Sequence, residues 1–396
     1  IDALLSDYIS EKDAPFLYNF AKKNKYYKNV TQSRSFCERA EIFTGLSPRE
    51  SGYFTAIGFS PKSSPYRNVK GLDLLSFFDK IFSKRKLYNI FKNRLLRFLT
   101  RQKKGIMSNY AIPSNILKFF DLTEDKYDFR SVNGFEGKSN IFKDCDRAGL
   151  NIYYDSFTAL NFTKPSSDEL RLQQVEDNID NNDNLYLLYI GAMDSSAHKY
   201  GPQSKERKVE LKKLDQRLLD FYNNIILKRK DTKFIFLGDH GMTQVDSCID
   251  VGKELSRLAV KNNLKIGKDY VYFLDSTMFR VWYLNKDSRK HLEKELKHNE
   301  YFLKNGAFVD GSVAKKEEIP FPDKRYGDTL WMANLGVLIF PDFFHKASSY
   351  KGMHGYNVND LSSKGTCIIS GEKYEYKEDI KLTDVYGILK KELDIK

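Results

Sequence analysis

Two Asp–His pairs in the middle of the chain have the residue types and the spacing to hold metal ions. Asp239 and His240 are adjacent and follow a short apolar run, while Asp194 and His198 are separated by three residues after another such run. On a helical turn, residues i and i+4 share a face, so Asp194 and His198 can reach one ion. The alternative for both pairs is a helix cap followed by a turn.

Asp2 and His354 extend this candidate set to three Asp and three His, although each of these two alone is an ordinary loop residue. His and carboxylate ligands suit Zn²⁺, and Mn²⁺ or Mg²⁺ become better matches as the share of oxygen ligands rises. Two such ions about 4 Å apart would hold both the attacking and the leaving oxygen of an in-line displacement. The other histidines of the chain, in no such setting, are His291, His298 and His345.

Ser35 begins the segment 35–48 and is the candidate nucleophile. A serine ahead of a helix can lose its proton to a bound metal, and helix N–H groups can face an anion there. Arg39, about one turn later, can pair with a phosphate or sulfate oxygen. The alternative is an ordinary serine N-cap.

The elements that must position these residues alternate between strand and helix patterns. Apolar runs at 185–190 and 234–237 predict buried strands, and apolar residues at three- and four-residue steps predict a helix over 204–228. This order is a βαβ unit, and ligands of open α/β sheets lie beyond the carboxyl ends of the strands. Further predicted elements are a helix over 12–28 with a turn into 28–31, strands at 270–274, 278–284, 335–340 and 366–370, and a helix at 383–393.

Two stretches of mixed character, 60–180 and 245–345, predict insertions between sheet elements, and we expect the second to form a smaller cap lobe over the site. Within the first, residues 80–104 contain ten Lys or Arg and no acid, with apolar residues at helical spacing. A basic amphipathic helix is typical of a membrane-surface element. We favour instead a helix docked on the core by its apolar face. Nucleic acid is the third option, which no recognised motif supports.

The composition of the chain says less about its binding partners than the motifs do. The formal net charge of +12 suits anionic substrates, membrane surfaces and nucleic acid alike. No window has the roughly 18 uncharged apolar residues of a membrane-spanning helix, and no signal peptide is present. These absences favour a cytoplasmic or membrane-peripheral location, with an extracytoplasmic one as the alternative because the chain begins in the middle of a motif.

In chain order, the motifs resemble those of the alkaline phosphatase superfamily, in its type I phosphodiesterase/nucleotide pyrophosphatase branch. The matching segments are Asp2-Ala3-Leu4, the run from 188 to 202 with Asp194 and His198, Gly238-Asp239-His240-Gly241-Met242-Thr243, His354-Gly355-Tyr356, and Thr383-Asp384-Val385. The resemblance implies an α/β fold with a central, mostly parallel sheet and helices on both faces, forming one catalytic domain over 1–396. It also implies one metal held by Asp194, His198 and His354, and a second held by Asp2, Asp239 and His240, with Ser35 on or near the second.

Three departures from the family pattern surround the nucleophile. Ser35 stands where this branch usually has Thr, which conserves the hydroxyl. Glu38, next to Arg39 in the predicted substrate-binding segment, would repel an anion unless Arg39 or a metal compensates, and the family's phosphate-contacting Asn has no clear match. Ser35, Cys37 and Arg39 have the spacing of the sulfatase signature, but Cys37 replaces its Pro, so conversion to formylglycine is not expected.

We therefore expect a hydrolase with two divalent metals, most often Zn²⁺ in such sites, that cleaves a phosphodiester or pyrophosphate bond through a phosphoserine at Ser35. The alternatives are a transferase that passes a phospho-alcohol to a glycan or lipid, a sulfatase, and a basic binding protein on an inactive scaffold. The sequence leaves the natural substrate and the oligomeric state open.

Overall fold

The computed structural model describes residues 1–82, 86–100, 112–155, 167–181, 183–345, 349–371 and 375–395. Residues 83–85 and 101–104 of the predicted basic helix lie outside this range. The chain divides into two compact units. Unit 1 contains Ile1–Gly52, Tyr127–Gln244 and Tyr350–Lys396, and unit 2 contains Tyr53–Lys126 and Val245–Ser349.

The strands of the described residues are mostly short. They are β1 (Lys25–Thr31), β2 (Ile57–Phe59), β3 (Phe120–Leu122), β4 (Ile152–Tyr154), β5 (Leu185–Leu187), β6 (Ile235–Leu237), β7 (Thr243–Gln244), β8 (Ser247–Ile249), β9 (Tyr270–Leu274), β10 (Met278–Tyr283), β11 (Gly306–Phe308), β12 (Thr329–Ala333), β13 (Val337–Ile339), β14 (Gly352–Met353), β15 (Gly365–Ile369) and β16 (Glu375–Lys381).

The helices vary from single turns to the 24 residues of α9. They are α1 (Pro15–Ala21), α2 (Glu38–Thr44), α3 (Pro48–Ser51), α4 (Leu72–Phe82), α5 (Lys86–Thr100), α6 (Ile141–Arg147), α7 (Asp168–Asn178), α8 (Ala192–Tyr200), α9 (Lys205–Lys228), α10 (Val251–Lys261), α11 (Lys286–Ser288), α12 (Lys294–Lys297), α13 (Glu300–Asn305), α14 (Gly311–Lys316) and α15 (Asp384–Glu392). Among the described residues, no helix combines the length and the apolar character needed to cross a membrane.

Unit 1 is built on a four-stranded sheet in the order β16-β1-β15-β6. β1 runs parallel to β16 and antiparallel to β15, which in turn runs antiparallel to β6. Three of the four strands therefore point in one direction, and β15 alone among them is reversed. The predicted α/β class with a central sheet is confirmed. The expected sheet is mostly parallel, but the reversed β15 makes two of the three strand pairings antiparallel.

The core of unit 1 lies between this sheet and the helices α1 and α9. Phe20 of α1 packs edge-on against Phe236 of β6 at a ring distance of 5.2 Å, and Leu218 of α9 joins the same buried cluster. The apolar positions of α9 follow the predicted three- and four-residue steps because this one face must meet α1 and the sheet. The predicted helix over 204–228 is confirmed as α9.

The expected helix over 12–28 is wrong at both ends. α1 begins at Pro15, where proline fits the first helical position because its missing N–H has no intrahelical partner there. It ends at Ala21, and the aromatic and β-branched residues from Lys25 onwards form β1 instead. Strand pairing with β15 and β16 therefore outweighs the helical spacing.

Unit 2 combines segments that the sequence analysis separated. Phe120 of β3 packs against Phe273 of β9 and Trp282 of β10, at ring distances of 5.3 and 5.4 Å. The buried Arg280 guanidinium donates to the carbonyl of Ile57 at 2.8 Å. Residues 53–126 thus fold with 245–349, whereas 127–180 fold with unit 1. The role of 245–345 as a cap stays a prediction.

The expected orientation of the basic helix is wrong. On α5, the apolar residues Leu87, Phe91 and Phe98 are exposed, and the basic residue Lys92 is buried. The helix does not dock by the apolar stripe, because an ion pair between Lys92 and Asp79 of α4, together with the buried Leu96, occupies its inner face.

Candidate active site

The first residues of the chain lie between the ends of β5 and β6 and so bring Asp2 to the edge of the sheet. The amide of Asp2 donates to the carbonyl of Ile190 at 2.8 Å, and the amide of Ala3 donates to the Asp239 carboxylate at 3.2 Å. A Cβ on Gly238 would stand 2.1 Å from the carbonyl oxygen of Leu4, so only glycine permits this close approach. The first glycine of the 238–243 motif, Gly238, is therefore needed for this packing against Leu4.

Asp194 and His198 share one face of α8, as their spacing predicts. Their Oδ1 and Nε2 atoms are 3.0 Å apart. The other ring nitrogen of His198, Nδ1, donates to the carbonyl of Gly352 at 2.8 Å. This second contact fixes the ring orientation and ties α8 to β14.

Asp2 and His240 form a second contact of the same kind, although they are far apart in sequence. Asp2 Oδ1 lies 2.9 Å from His240 Nε2, and His240 Nδ1 donates to the carbonyl of Gly241 at 2.8 Å. The other carboxylate oxygen of Asp2 accepts a hydrogen bond from the hydroxyl of Tyr189.

His354 joins the two pairs. Its ring stacks on that of His240 at 4.0 Å and lies 5.3 Å from that of His198. Among the described residues, its buried Nδ1 has no hydrogen-bond partner. Three groups have possible ligand atoms within 4.8 Å of one another: Asp194 with His198 and His354, Asp2 with Asp194 and His240, and Glu38 with His240 and His354.

The hydrogen bonding of the imidazoles shows that this cluster fits cations. Because Nδ1 of both His198 and His240 donates to a carbonyl, Nε2 of a neutral ring presents a lone pair to a carboxylate oxygen about 3 Å away. That arrangement is repulsive unless a proton or a metal ion neutralises it. The donor set of imidazole and carboxylate suits a divalent transition metal.

The pKa of each of the three histidines is set by burial and by the charges of its neighbours. Burial alone would lower the pKa of His240, but the charges of Asp239 and Asp2 outweigh burial and hold it well above its usual value. Burial would also lower the pKa of His198, but the charge and the hydrogen bond of Asp194 outweigh burial, so the pKa of His198 is raised. Burial and the charges of its two neighbouring rings hold the pKa of His354 well below the usual value. His354 is thus poised as a neutral ligand.

Asp239 is close to Asp2 but is oriented by backbone groups. Its Oδ1 accepts from the amides of Ala3 and His240, at 3.2 and 3.0 Å. Burial and the charge of Asp2 raise its pKa. The three groups found among the described residues do not include Asp239, so its role as a ligand stays a prediction.

Ser35 is buried, and its loop lies against the histidine cluster. The Ser35 hydroxyl donates to Glu41 at 3.4 Å, and the amide of Cys37 points at the Ser35 oxygen at the same distance. The ring of Phe36 stands edge-on to His354 at 5.5 Å. Helix α2 begins at Glu38 with Cys37 as its N-cap, so Ser35 is not the helix cap that the alternative interpretation required.

The two predicted substrate-binding residues occupy different surroundings. Glu38 contributes a carboxylate oxygen to the group with His240 and His354, which places it among the possible metal ligands. The guanidinium of Arg39 lies over the ring of Phe129 at 5.5 Å, and both residues belong to unit 1.

The sequence analysis missed the residues that support the ligands. Tyr189 binds Asp2, and Asp168 accepts from the amides of Gly191 and Ala192 at 2.8 to 3.1 Å at the start of α8. Glu41 accepts hydrogen bonds from both the amide and the hydroxyl of Ser33, and the hydroxyl contact is 2.8 Å. Tyr189 and Glu41 lie within the motif segments, whereas Asp168 lies 24 positions before Ala192, so no local pattern connects it with α8.

Comparison with protein families gives one match over most of the chain. The family model described as type I phosphodiesterase / nucleotide pyrophosphatase matches residues 1–357. Among curated proteins, the chain is 24% identical over 319 residues to human bis(5'-adenosyl)-triphosphatase ENPP4, covering 72% of this chain and 61% of that protein. It is 33% identical over 165 residues to GPI ethanolamine phosphate transferase 2 of Candida albicans, covering 36% of this chain and 18% of that protein. The chain thus spans less than two thirds of either relative.

Solved structures are similar over the whole chain. Human ectonucleotide pyrophosphatase/phosphodiesterase 5 matches with a TM-score of 0.70 and 17% identity, covering 100% of this chain and 94% of that one. An inactive form of murine ectonucleotide pyrophosphatase/phosphodiesterase 5, in complex with AMP, matches with a TM-score of 0.68 at the same identity and coverage. At this identity, the likeness shows the fold alone.

Proposed function

The chain belongs to the type I phosphodiesterase/nucleotide pyrophosphatase family, and from that premise we propose that it cleaves a phosphodiester or pyrophosphate bond with two metal ions and Ser35. The observation that carries the proposal is the pair of carboxylate–imidazole contacts, Asp2 with His240 and Asp194 with His198, both near 3 Å. Each ring already donates from Nδ1, so the contact through Nε2 requires either a proton or a metal ion at Nε2.

We assign the ligands from these contacts and from the family pattern. One ion would be held by Asp194, His198 and His354, and the other by Asp2, His240 and Asp239, with Glu38 as an additional carboxylate beside His240 and His354. Such ions, when bound, stabilise negative charge on the oxygens around phosphorus and lower the pKa of a bound hydroxyl or water. Zn²⁺ best suits the share of imidazole, with Mn²⁺ or Mg²⁺ as alternatives.

Ser35 is the proposed nucleophile. Its oxygen would form a bond to phosphorus while the bond from phosphorus to the leaving oxygen breaks, which gives a phosphoserine that keeps the substrate's other substituent on phosphorus. The proton of the Ser35 hydroxyl would pass to the leaving oxygen or to solvent. Water would then displace the serine oxygen and release the phosphate product. Glu41 and the amide of Cys37 orient the hydroxyl before attack, and Phe36 places this loop beside His354.

The charge of the site favours a particular class of substrate. Glu38 adds a carboxylate to a cluster that already contains Asp2, Asp194 and Asp239. A singly charged diester meets less repulsion there than a doubly charged monoester does. Arg39, whose guanidinium rests on Phe129, is the candidate cation for a further substrate oxygen.

A transferase is the second candidate. The similarity to GPI ethanolamine phosphate transferase 2 of Candida albicans favours it, because a phosphoserine can be attacked by an acceptor alcohol as well as by water. A requirement for an acceptor alcohol would distinguish transfer from hydrolysis.

The decisive assay is the release of nitrophenol from bis-p-nitrophenyl phosphate, with the monoester and the sulfate ester in parallel. We expect cleavage of the diester that depends on Zn²⁺ or Mn²⁺ and that falls at least about a thousandfold in Ser35→Ala. Ser33→Ala is the matched control, since Ser33 shares the loop and the partner Glu41 but is not the nucleophile. We expect it to retain most of the activity.

Each other outcome points elsewhere. Preference for the sulfate ester would identify a sulfatase. Two bound metals without turnover of any ester would rule out simple hydrolysis and direct attention to an acceptor. Fewer than two ions per chain, again without turnover, would favour a basic binding protein on an inactive scaffold.

A further inference from the structure

The helix α4 of unit 2 presents an apolar stripe to solvent. Leu74, Phe77, Phe78 and Ile81 follow one another at helical steps and are 37% to 64% exposed. The opposite face contains Leu72, Ser76 and Asp79, which are buried. The largest apolar side chains of this helix therefore lie on its outer face.

The helix α5 repeats this inverted pattern. Leu87, Ile90, Phe91 and Phe98 lie along one stripe and are 40% to 81% exposed, while Lys92 is buried. The ring of Phe82 lies 6.2 Å from that of Phe78 and 5.9 Å from that of Tyr88, so the three rings connect the two helices.

A polar network fixes the inner face and so keeps the apolar stripes outside. The Lys92 ammonium lies 2.7 Å from the Asp79 carboxylate, and the Tyr88 hydroxyl donates to the same carboxylate at 3.0 Å. Ser114 donates to its other oxygen from both the amide and the hydroxyl, at 2.8 and 2.6 Å. Turning either helix over would leave this buried charge without partners, which is far more costly than exposing apolar groups.

Helices α4 and α5 together expose many large apolar side chains. Nine large apolar side chains of α4 and α5 are more than a third exposed: Leu74, Phe77, Phe78, Ile81, Leu87, Ile90, Phe91, Phe98 and Leu99. Contiguous apolar patches beyond a few hundred Å² mark surfaces that meet a protein or a membrane. The stripes of α4 and α5 therefore have the character of a contact surface.

The charges on the same face identify that partner. Arg94 and Arg97 are exposed beside the apolar stripe of α5, and residues 80–100 contain no Asp or Glu. On α4, Asp73 in the first turn is an exposed acid. Helices that lie in a membrane interface have this arrangement: their apolar residues enter the acyl region, and their arginines stay at the level of the headgroups. We propose that α4 and α5 form a docking surface for an anionic lipid bilayer.

Vesicle binding by the full chain tests the proposal without any substrate, so the outcome is independent of the proposed hydrolysis. The probe is cosedimentation with vesicles of phosphatidylcholine, with or without phosphatidylserine. We expect binding to the anionic vesicles that weakens at high salt. Phe91→Gln with Phe98→Gln should reduce the affinity more than tenfold, and Arg94→Gln should reduce it about fivefold, which corresponds to ~1 kcal/mol per basic residue.

Val260→Gln with Leu303→Gln is the matched control, since both residues are exposed apolar residues of unit 2 outside these helices. It should leave vesicle binding unchanged. Unchanged thermal unfolding of every variant would show that the fold is intact.

Two results would overturn the proposal. One is a wild-type chain that does not bind phosphatidylserine vesicles, or that loses binding equally in the control. The other is a wild-type dimer by light scattering that the Phe91 and Phe98 substitutions dissociate, which would assign the face to a second copy of this chain.

Discussion

At the scale of single residues, the candidate site depends on which atom each imidazole presents. His198 and His240 both donate from Nδ1 to a backbone carbonyl and present Nε2 to a carboxylate. His354 differs, because burial and its charged neighbours hold its pKa well below the usual value. His354 therefore responds to the loss or gain of a proton differently from the other two rings.

Tyr189→Phe tests the support of Asp2. Removing the hydroxyl that donates to the Asp2 carboxylate should lower metal affinity about 10- to 100-fold, as loss of a residue that orients a ligand commonly does. Competition with a chelator measures this affinity. Tyr186→Phe is the matched control, because its hydroxyl donates to the carbonyl of Ile179 at 3.2 Å. Equal affinity in the wild type and both variants would show that Tyr189 has no role in metal binding.

Glu38→Gln separates a metal ligand from a carboxylate that only repels substrate. If Glu38 binds an ion beside His240 and His354, the neutral amide should lower metal affinity at least about tenfold. If it only repels an anion, metal affinity should be unchanged and KM for the diester should fall. Isothermal titration with Zn²⁺ and steady-state kinetics measure the two effects. Glu206→Gln, an exposed change on α9, is the control.

At the scale of elements, α8 is the helix that brings two of the proposed ligands, Asp194 and His198, to one face. Asp168 accepts hydrogen bonds from the amides of Gly191 and Ala192 at the start of α8. These contacts fix the position of the helix and of the residues on its face. The helix could be inferred from spacing, but this anchor could not, because Asp168 precedes α8 by more than twenty residues.

Asp168→Ala should therefore have two effects. Loss of the contacts at the helix start should destabilise the protein by about 1 kcal/mol, as removal of a helix cap does. It should also weaken the metal site on α8. Asp250→Ala removes a comparable cap from α10, where Asp250 accepts from the amide of Lys253 at 2.8 Å. This control should lose stability without losing metal affinity. Denaturant unfolding measures the stability of the two variants, and metal titration measures their metal affinity. Equal metal affinity in both variants would contradict an anchoring role for Asp168.

At the scale of the whole molecule, metal binding should couple to stability and to pH. Ions that bind only the folded chain stabilise it by ~2.7 kcal/mol at a hundredfold excess over the dissociation constant. A chelator should therefore lower the thermal unfolding temperature, and His354→Ala should reduce the difference.

The sign of the pH dependence follows from the raised pKa values of His198 and His240. Protons compete with metal for Nε2, so the stabilisation by Zn²⁺ should grow as the pH rises through these pKa values. Without metal, the same two groups stabilise the fold fully below their unfolded pKa of about 6.5, and this contribution is lost as the pH rises through their folded pKa values. The depressed pKa of His354 acts in the other direction and lowers stability below about 6.5. Thermal unfolding from pH 6 to 8, with and without chelator, measures this, and a metal effect that shrinks with rising pH would contradict it.

The sequence by itself determined the features that depend on local pattern. Spacing predicts α9 and the shared face of Asp194 and His198, and motif order indicates the family and the α/β class. These succeed because periodicity and ligand type are properties of neighbouring residues. Local pattern did not predict the strand at Lys25–Thr31, because the strands that pair with it lie at the other end of the chain.

Only the tertiary structure decided which distant groups meet. Asp2 and Tyr189 are 187 positions apart, and His198 and Gly352 are 154 positions apart, so no local pattern connects them. The orientation of α5 is a second example, because the buried pair of Lys92 with Asp79 turns its apolar stripe outward. A buried charge must be paired, and that requirement acts through contacts in space rather than through the hydrophobic period of the helix.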